Sequence, residues 1–270
     1  MSDNNAGIAT TVLVGLLMLG SVTPAMAWGS KGHRIIGLLA RELLLPETAA
    51  ELETIMGSAD LATFGLYLDD NKDRLDQQIP GSRAWHYDNI PICGRKAHSE
   101  YCPNGWCAST QIERHRDILA DAQESKAHKQ FAIWVLTHLI ADIHQPLHAA
   151  DRDDRGGNAI QVRLPWGRNV NLHGAWDTDF VEHALGGKNE MLVAHDLLLK
   201  FASRKTDWQT GTVQTWMDES HQLAKTVAYG KIAASRAMPT SSACGSFSIR
   251  TVPTRRRPSS KSSWQRPGTG

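Results

Sequence analysis

The chain has 270 residues, of which 29 are Lys or Arg and 28 are Asp or Glu, so its formal net charge is +1. This length favours one large domain or two small ones, and the 41% of hydrophobic residues excludes disorder throughout the chain. Residues 28–234 hold 22 basic and 27 acidic residues, a net −5, whereas residues 235–270 hold seven basic and no acidic residues. The acidic body argues against a generally basic protein that binds nucleic acid through its net charge.

Residues 1–27 have the pattern of a signal peptide. Their apolar run at residues 8–20 is shorter than the roughly 20 residues that span a bilayer, and Ala25-Met26-Ala27 has the small-x-small pattern of a cleavage site. No Lys or Arg precedes the run, so a buried or membrane-anchoring N-terminal helix is the alternative. Cleavage after Ala27 makes Trp28 the mature amino terminus. It also predicts a secreted or periplasmic protein without stable membrane insertion.

The cysteines fit an oxidising compartment, in which disulfides form. Cys93, Cys102 and Cys107 lie within 15 residues, whereas Cys244 lies far along the chain. The short spacing favours a Cys102–Cys107 disulfide, although spacing alone does not fix the connectivity. A zinc site made of the three clustered thiols is the alternative, and the lack of a CxxC pair counts against it.

The body is predicted to be all-α with one small β-hairpin. Pro46 can begin a helix that ends at Gly57, and Ser109 or Thr110 can cap a later helix. Residues 126–144 are apolar on all sides, which predicts a central, buried helix that ends before Pro146. Alternation at residues 159–170 predicts the hairpin. The other predicted helices cover residues 33–45, 46–56, 111–124, 178–185, 189–201 and 213–229.

Two pairs of histidine and aspartate carry the chemical argument. His138 and Asp142 lie on one face of the buried helix, where a carboxylate is costly unless it is paired or metal-bound. His173 and Asp177 repeat the spacing, and His148 follows the buried helix closely. Imidazole and carboxylate four residues apart can present two ligands to one zinc ion. A surface ion pair or a helix cap explains one such pair, but two pairs with a nearby histidine favour a metal site.

Further candidate ligands precede this helix. They are His33 in WGSKGH, Asp69 and Asp70 in GLYLDDNK, and His86 in RAWHYDNIP. The remaining histidines lack ligand spacing; His144 is predicted to be structural, and the others are predicted to lie at the surface: His98, His115, His128, His183, His195 and His221.

Five segments together resemble a known family. In chain order they are WGSKGH, WHYDNIP, THLIADIHQPLH, DRGGN and NLHGAWD. They resemble the zinc-dependent single-strand-specific nucleases of the S-one/P-one kind, which are related in fold to zinc phospholipase C. The resemblance covers residues 28–229 and implies a mainly helical nuclease domain that binds three zinc ions in a cleft.

The resemblance also implies a ligand set for each zinc ion. The first ion is assigned to Asp69, His86, His138 and Asp142. The second is assigned to His148, His173 and Asp177. The third is assigned to His33, to Asp142 again, and to the α-amine and carbonyl oxygen of Trp28.

The resemblance also assigns two residues, Lys72 and Thr178, to the substrate. Asp69 is preferred to Asp70 because Lys72 follows it by three residues, as a basic residue does in the family. Lys72 would then contact the scissile phosphate, with a solvated surface lysine as the alternative. Family members often carry Asn after the last metal-binding Asp, whereas this chain has Thr178, which becomes the candidate substrate-binding residue.

The resemblance implies an endonuclease that hydrolyses phosphodiesters of single-stranded DNA and RNA to 5′-phosphate products, with 3′-nucleotidase activity as a further expectation. We expect a monomer whose partner is the nucleic-acid substrate. A zinc phospholipase C is one alternative, although the short spacing from Trp28 to His33 and the use of Asp177 rather than Glu argue against it. A zinc-binding protein without turnover is the other.

Residues 235–270 differ in composition from the body. They are rich in Ser, Arg, Thr and Pro and have no period that a packed helix requires. A disordered basic arm and a linker remnant are two interpretations. We favour a third, a frameshift in the gene, because related chains continue into another core helix. The nuclease domain at 28–234 would then lack its last core helix.

Overall fold

The computed structural model describes residues 28–94 and 96–231. The predicted signal peptide and the predicted basic tail lie outside the described residues, and so does the segment on which the frameshift hypothesis depends. Within the described ranges, no helix combines the length and the apolar character needed to cross a membrane.

The described residues form α-helices joined by tighter or wider helical turns. The α-helices are α1 (Ser30–Leu43), α2 (Pro46–Met56), α3 (Leu61–Phe64), α4 (Tyr67–Asp70), α5 (Lys72–Gln78), α6 (His98–Tyr101), α7 (Ala108–Ala120), α8 (Lys126–Asp142), α9 (Leu172–Gly174), α10 (Phe180–Leu185), α11 (Glu190–Lys200), α12 (Lys205–Trp208) and α13 (Val213–Leu223). The 3₁₀ turns are Ser82–His86, Pro103–Gly105, Pro146–Ala149 and Ala202–Arg204, and the π-helical turns are Ala175–Asp179 and Ala224–Ala228.

The β-structure is one antiparallel hairpin of short strands, β1 (Gln161–Arg163) and β2 (Asn169–Asn171), with Val162 opposite Val170. The hairpin lies where the alternation predicts it. The all-α fold class with a small hairpin is therefore confirmed.

Helix α8 lies at the centre of the fold, as its composition predicts. Val135 and Leu139 are completely buried in a core to which α4, α5, α7 and α13 also contribute. Ser125 caps the helix by accepting a hydrogen bond from the backbone N–H of His128. The helix ends at Asp142 rather than at residue 144, because the chain then turns into the 3₁₀ turn Pro146–Ala149.

Helix α1 approaches α3 so closely that only glycine fits at the contact. A Cβ atom at Gly37 would lie 2.5 Å from the backbone of Leu61 and Ala62. His33 lies one turn earlier on the same face of α1, and its ring stacks on that of His138 with the centroids 4.1 Å apart. The close packing of α1 against α3 thus places His33 beside His138 in α8.

Two helices begin at residues other than the predicted ones. Helix α7 begins at Ala108 with Cys107 as its N-cap, so the predicted caps at Ser109 and Thr110 are wrong. Asp88, from a distant segment, accepts hydrogen bonds from the backbone N–H and the hydroxyl of Ser109 at 3.0 and 2.6 Å. The helix predicted at 178–185 begins as a π-helical turn, and regular α-helix starts only at Phe180.

Candidate metal centre

The eight His and Asp side chains predicted as ligands lie together at the C-terminal end of α8. Helix α1 supplies His33, α4 supplies Asp69, and the 3₁₀ turn Ser82–His86 supplies His86. The last turn of α8, the 3₁₀ turn Pro146–Ala149 and the segment from α9 into the π-helical turn supply the other ligands, which are His138, Asp142, His148, His173 and Asp177. Seven of the eight are buried, and His86 is half-buried.

Three sets of these side chains have ligand atoms within 4.8 Å of one another. The sets are His33 with His138 and Asp142, Asp69 with His86 and His138, and His148 with His173 and Asp177. The first two share His138, so we call their five members, His33, Asp69, His86, His138 and Asp142, the Asp142 group. The third set is the Asp177 group.

Asp142 is the centre of the Asp142 group. Its Oδ2 atom lies 3.1 Å from Nε2 of His138 and 3.0 Å from Nδ1 of His86. Its Oδ1 atom lies 3.2 Å from Nε2 of His33 but makes no hydrogen bond there, so both atoms are buried without a hydrogen-bond partner. Asp69 completes the group at a greater distance, with its Oδ1 atom 4.0 Å from Nε2 of His138.

The Asp177 group is a compact triangle. The two Nε2 atoms of His148 and His173 are 3.1 Å apart. The carboxylate of Asp177 faces both, with Oδ1 3.7 Å from Nε2 of His148 and Oδ2 3.4 Å from Nε2 of His173. Two nitrogen lone pairs and a carboxylate that converge at these distances are a donor set suited to a divalent cation.

Backbone carbonyls fix the orientation of three of the imidazoles. The Nδ1 atom of His138 lies 2.6 Å from the carbonyl oxygen of Gly65, and the Nδ1 atom of His148 lies 2.7 Å from that of His86. The Nδ1 atom of His173 lies 2.7 Å from the carbonyl oxygen of Gly156. Since a carbonyl only accepts, each Nδ1 carries a proton, so that Nε2 has the lone pair for a ligand whenever the imidazole is neutral.

Gly156 can provide this carbonyl because it is glycine. Its φ of +60° lies in the left-handed region, and a Cβ atom there would come within 2.9 Å of the carbonyl oxygen of Leu147. The DRGGN segment therefore contributes backbone geometry that holds His173.

Burial and charge set the protonation of the cluster. Burial lowers the pKa of His148 to about 3 and lowers the pKa of His173 as well, so both are neutral, the form that binds metal. Burial opposes protonation of His138 too, but the charge of Asp142 raises its pKa to about 9. Burial raises the pKa of the Asp177 carboxyl well above its ordinary value. A proton or a dication can supply the positive charge that buried carboxylates require.

The amino-terminal residues contact both groups. The indole Nε1–H of Trp28 donates to the carbonyl oxygen of Ala141 at 2.9 Å, next to Asp142. The backbone N–H of Gly29 donates to the carbonyl oxygen of Asp177 at 2.7 Å. The start of the predicted mature chain is thus held between the two groups.

The remaining predicted site residues lie at the edge of the cluster. Asp69 is buried in the Asp142 group, whereas Asp70 is exposed and belongs to neither group. Lys72 lines a small cavity together with His86. Thr178 is exposed beside Asp177, and its hydroxyl oxygen packs against Gly29.

The structure also decides the chemistry of the clustered cysteines. Cys102 and Cys107 form a disulfide, as predicted from their spacing. This removes both thiols from the alternative zinc site of three thiols.

The sequence did not predict the full or partial burial of three polar side chains. His115 is buried and its Nδ1 atom lies 2.8 Å from the carbonyl oxygen of Gln111, so the surface position predicted for it is wrong. His221, also predicted at the surface, is half-buried against Ala149. Gln145 is completely buried and donates a hydrogen bond to Asp177. Its only signal in the sequence is its place in the HQPLH segment.

Comparison with known proteins identifies the family of this chain. The family model described as S1/P1 Nuclease matches residues 28–246, which extends past the boundary at 234 predicted from composition. Endonuclease 3 of Arabidopsis thaliana is 30% identical over 229 residues, which cover 79% of this chain and 74% of the relative. Nuclease S1 of Aspergillus oryzae is 28% identical over 216 residues, 73% of this chain and 74% of the relative. Nuclease P1 of Penicillium citrinum is 29% identical over 167 residues, 59% of this chain and 60% of the relative. The chain belongs to the S1/P1 nuclease family.

Proposed function

We propose that this protein is a secreted or periplasmic, zinc-dependent endonuclease that hydrolyses phosphodiesters of single-stranded DNA and RNA to 5′-phosphate products and also acts as a 3′-nucleotidase. One observation carries the proposal: two buried groups of imidazoles and carboxylates converge at the C-terminal end of α8 in a member of a nuclease family. Buried carboxylates without a cation are costly, so their presence beside these imidazoles supports metal binding.

The donor atoms fit three zinc ions. Nitrogen and oxygen ligands in sets of three or four, with neutral imidazoles, are the sets that zinc prefers. In our proposal Asp69, His86, His138 and Asp142 hold the first ion, and the Asp177 group holds the second. The unpartnered ring nitrogens of His33 and Oδ1 of Asp142 support a third site between these two residues.

The third site needs a free amino terminus at Trp28. An α-amine has a pKa near 8 and loses its proton readily beside a dication, whereas an amide nitrogen is a poor ligand. The hydrogen bond from the Trp28 indole to Ala141 supports this placement, because it holds residue 28 next to Asp142. Removal of residues 1–27 on export would then complete the metal centre.

The chain supplies binding and orientation around the metals. Zinc held by these residues would supply Lewis-acid chemistry, which lowers the pKa of a water molecule to about 7 and offsets the charge of a phosphate. Lys72, which lines the cavity beside His86, would neutralise a phosphate oxygen. Carbonyl contacts hold His138, His148 and His173 in their ligand orientation, so these residues need no rearrangement when the substrate binds.

Burial of the ligand groups supports a preference for single strands. A phosphate reaches buried metals only if its nucleotide leaves the base stack, which is easiest in a single strand. Thr178, exposed beside Asp177, is the candidate contact for the nucleotide. The acidic body is no obstacle, since three zinc ions contribute +6 formal charge against its net −5.

Hydrolysis assays with three substrates test the proposal. Denatured DNA, 3′-AMP and phosphatidylcholine are each incubated with and without chelator, and zinc per chain is measured. We expect chelator-sensitive hydrolysis of the first two, its loss in His173→Ala, and full activity in His128→Ala, which changes an exposed histidine outside both groups. Hydrolysis of the lipid alone would refute the nuclease proposal. Full zinc occupancy without turnover would instead identify a zinc-binding protein.

A further inference from the structure

Gln145 lies in the corner between α8 and the 3₁₀ turn Pro146–Ala149, and its side chain is completely buried. A buried amide is costly unless its donor and acceptor are both satisfied. Both are satisfied here: Nε2 donates to Oδ1 of Asp177 at 2.6 Å, and Oε1 accepts from the backbone N–H of Leu147 at 2.6 Å.

The neighbours of Gln145 determine which way its amide points. A backbone N–H only donates, so the atom that faces Leu147 must be the oxygen. The NH₂ end must therefore face Asp177 and donate to its carboxylate. This assignment rests on the hydrogen-bond partners and fixes Gln145 as a donor to a candidate metal ligand.

The backbone of Gln145 connects the two ligand groups as well. Its N–H donates to the carbonyl oxygen of Asp142 at 2.9 Å, and its carbonyl oxygen accepts from the N–H of His148 at 2.9 Å. The corner is therefore held at both ends by residues that carry candidate ligands. Because the backbone of Gln145 is held in this way, its side chain can hold the carboxylate of Asp177 in one orientation.

We propose that Gln145 is a positioning residue for the metal site of the Asp177 group. Its donor occupies Oδ1 of Asp177 and leaves Oδ2, the oxygen that is 3.4 Å from Nε2 of His173, as the free oxygen for the metal ion. Without this donor the carboxylate of Asp177 can rotate. The ligand atoms of His148, His173 and Asp177 then no longer converge on one metal position. The inference rests on the proposed function, since it assumes that the Asp177 group binds zinc.

The substitution Gln145→Met tests this role, because methionine has a similar length but no hydrogen-bond donor and only a weakly accepting sulfur. Gln111→Met is the matched control: Gln111 is also a buried glutamine, and its Nε2 donates to the carbonyl oxygen of Gly105, outside both groups. Zinc affinities are measured by chelator competition, together with the melting temperatures of the metal-free chains and the absorption spectra of their cobalt forms. Gln145→Leu repeats the test if the Met variant does not fold.

We expect Gln145→Met to weaken one of three zinc sites by about 10- to 100-fold, the usual effect of losing a hydrogen bond to a ligand, and to change the cobalt spectrum. Gln111→Met should lower only the melting temperature. Wild-type affinity at all three sites of the Gln145 variant, or an equal loss in both variants, would overturn the positioning role while the proposed function stands. A wild-type chain that binds no zinc would overturn both.

Discussion

Replacing Asp142 by asparagine tests whether one carboxylate serves two metal ions. The side chain is completely buried, and its oxygens lie 3.0 to 3.2 Å from ring nitrogens of His33, His86 and His138. Asparagine has nearly the same shape but no charge and one oxygen fewer. We therefore expect Asp142→Asn to empty the first and third proposed zinc sites and to leave the Asp177 group loaded.

The expected loss of stability follows from the number of ions released. An ion present at 1,000 times its dissociation constant stabilises the folded state by about 4 kcal/mol, so two ions contribute about 8 kcal/mol. In a domain of about 200 residues, 1 kcal/mol corresponds to roughly 2–4 °C in melting temperature. The zinc-loaded variant should thus melt roughly 16–32 °C below the zinc-loaded wild type. In excess chelator most of this difference should disappear.

Metal content by mass spectrometry and thermal melting by circular dichroism provide the readouts. Asp179→Asn is the control: Asp179 is also buried and lies in the same region, but it pairs with Arg168 at 2.5 Å and belongs to neither ligand group. We expect one zinc ion per chain in Asp142→Asn and three in Asp179→Asn. Three ions in the Asp142 variant, or the same loss in both variants, would refute the shared carboxylate.

The other predictions concern the amino terminus, the candidate phosphate ligand and one buried histidine. A mature chain with one glycine added before Trp28 should bind two zinc ions rather than three, because the amine is displaced; three ions by metal analysis would contradict the terminal ligand. Lys72→Ala should lower kcat/KM on denatured DNA by about 10²- to 10³-fold with zinc content unchanged. The exposed control Lys188→Ala should retain full activity, and equal rates in both variants would make Lys72 an ordinary surface residue. Burial lowers the pKa of His115, so the unfolded chain, with a histidine pKa of about 6.5, takes up a proton that the folded chain does not. His115 therefore costs stability as the pH falls below about 6.5, by at most about 1.4 kcal/mol per pH unit. His115→Phe should lose less stability than the wild type when urea unfolding is compared at pH values of about 7 and about 5, and identical losses would contradict this.

The sequence predicted the elements that carry strong local signals. Helix α2 runs from Pro46 to Met56 as predicted, because proline fixes the first turn and Gly57, with φ +82°, ends the helix. The central position of α8 also followed from apolar residues on all its sides, since such a helix has no face suited to water. The family resemblance singled out eight His and Asp side chains from segments far apart in the sequence, and these side chains form the two groups at the C-terminal end of α8.

The parts that sequence could not predict depend on contacts between distant segments. Helices α3 and α4 have four residues each, too few for a periodic pattern. Asp88 accepts the hydrogen bonds of Ser109 in the first turn of α7, and no local pattern at Ser109 indicates a partner 21 residues earlier. His115 and Gln145 are polar residues whose burial depends on partners that only the folded chain supplies.

The corner at residues 142–148, within the segment THLIADIHQPLH, connects the two ligand groups. Asp142 belongs to one ligand group and His148 to the other, and hydrogen bonds through the backbone of Gln145 join them. The Nδ1–H of His148 also donates to the carbonyl oxygen of His86, a member of the Asp142 group. One inserted residue would therefore shift His148 away from both His173 and His86. Since close-packed interiors do not absorb such shifts, the spacing of the segment is fixed by the need to hold two ligand groups with one turn of chain.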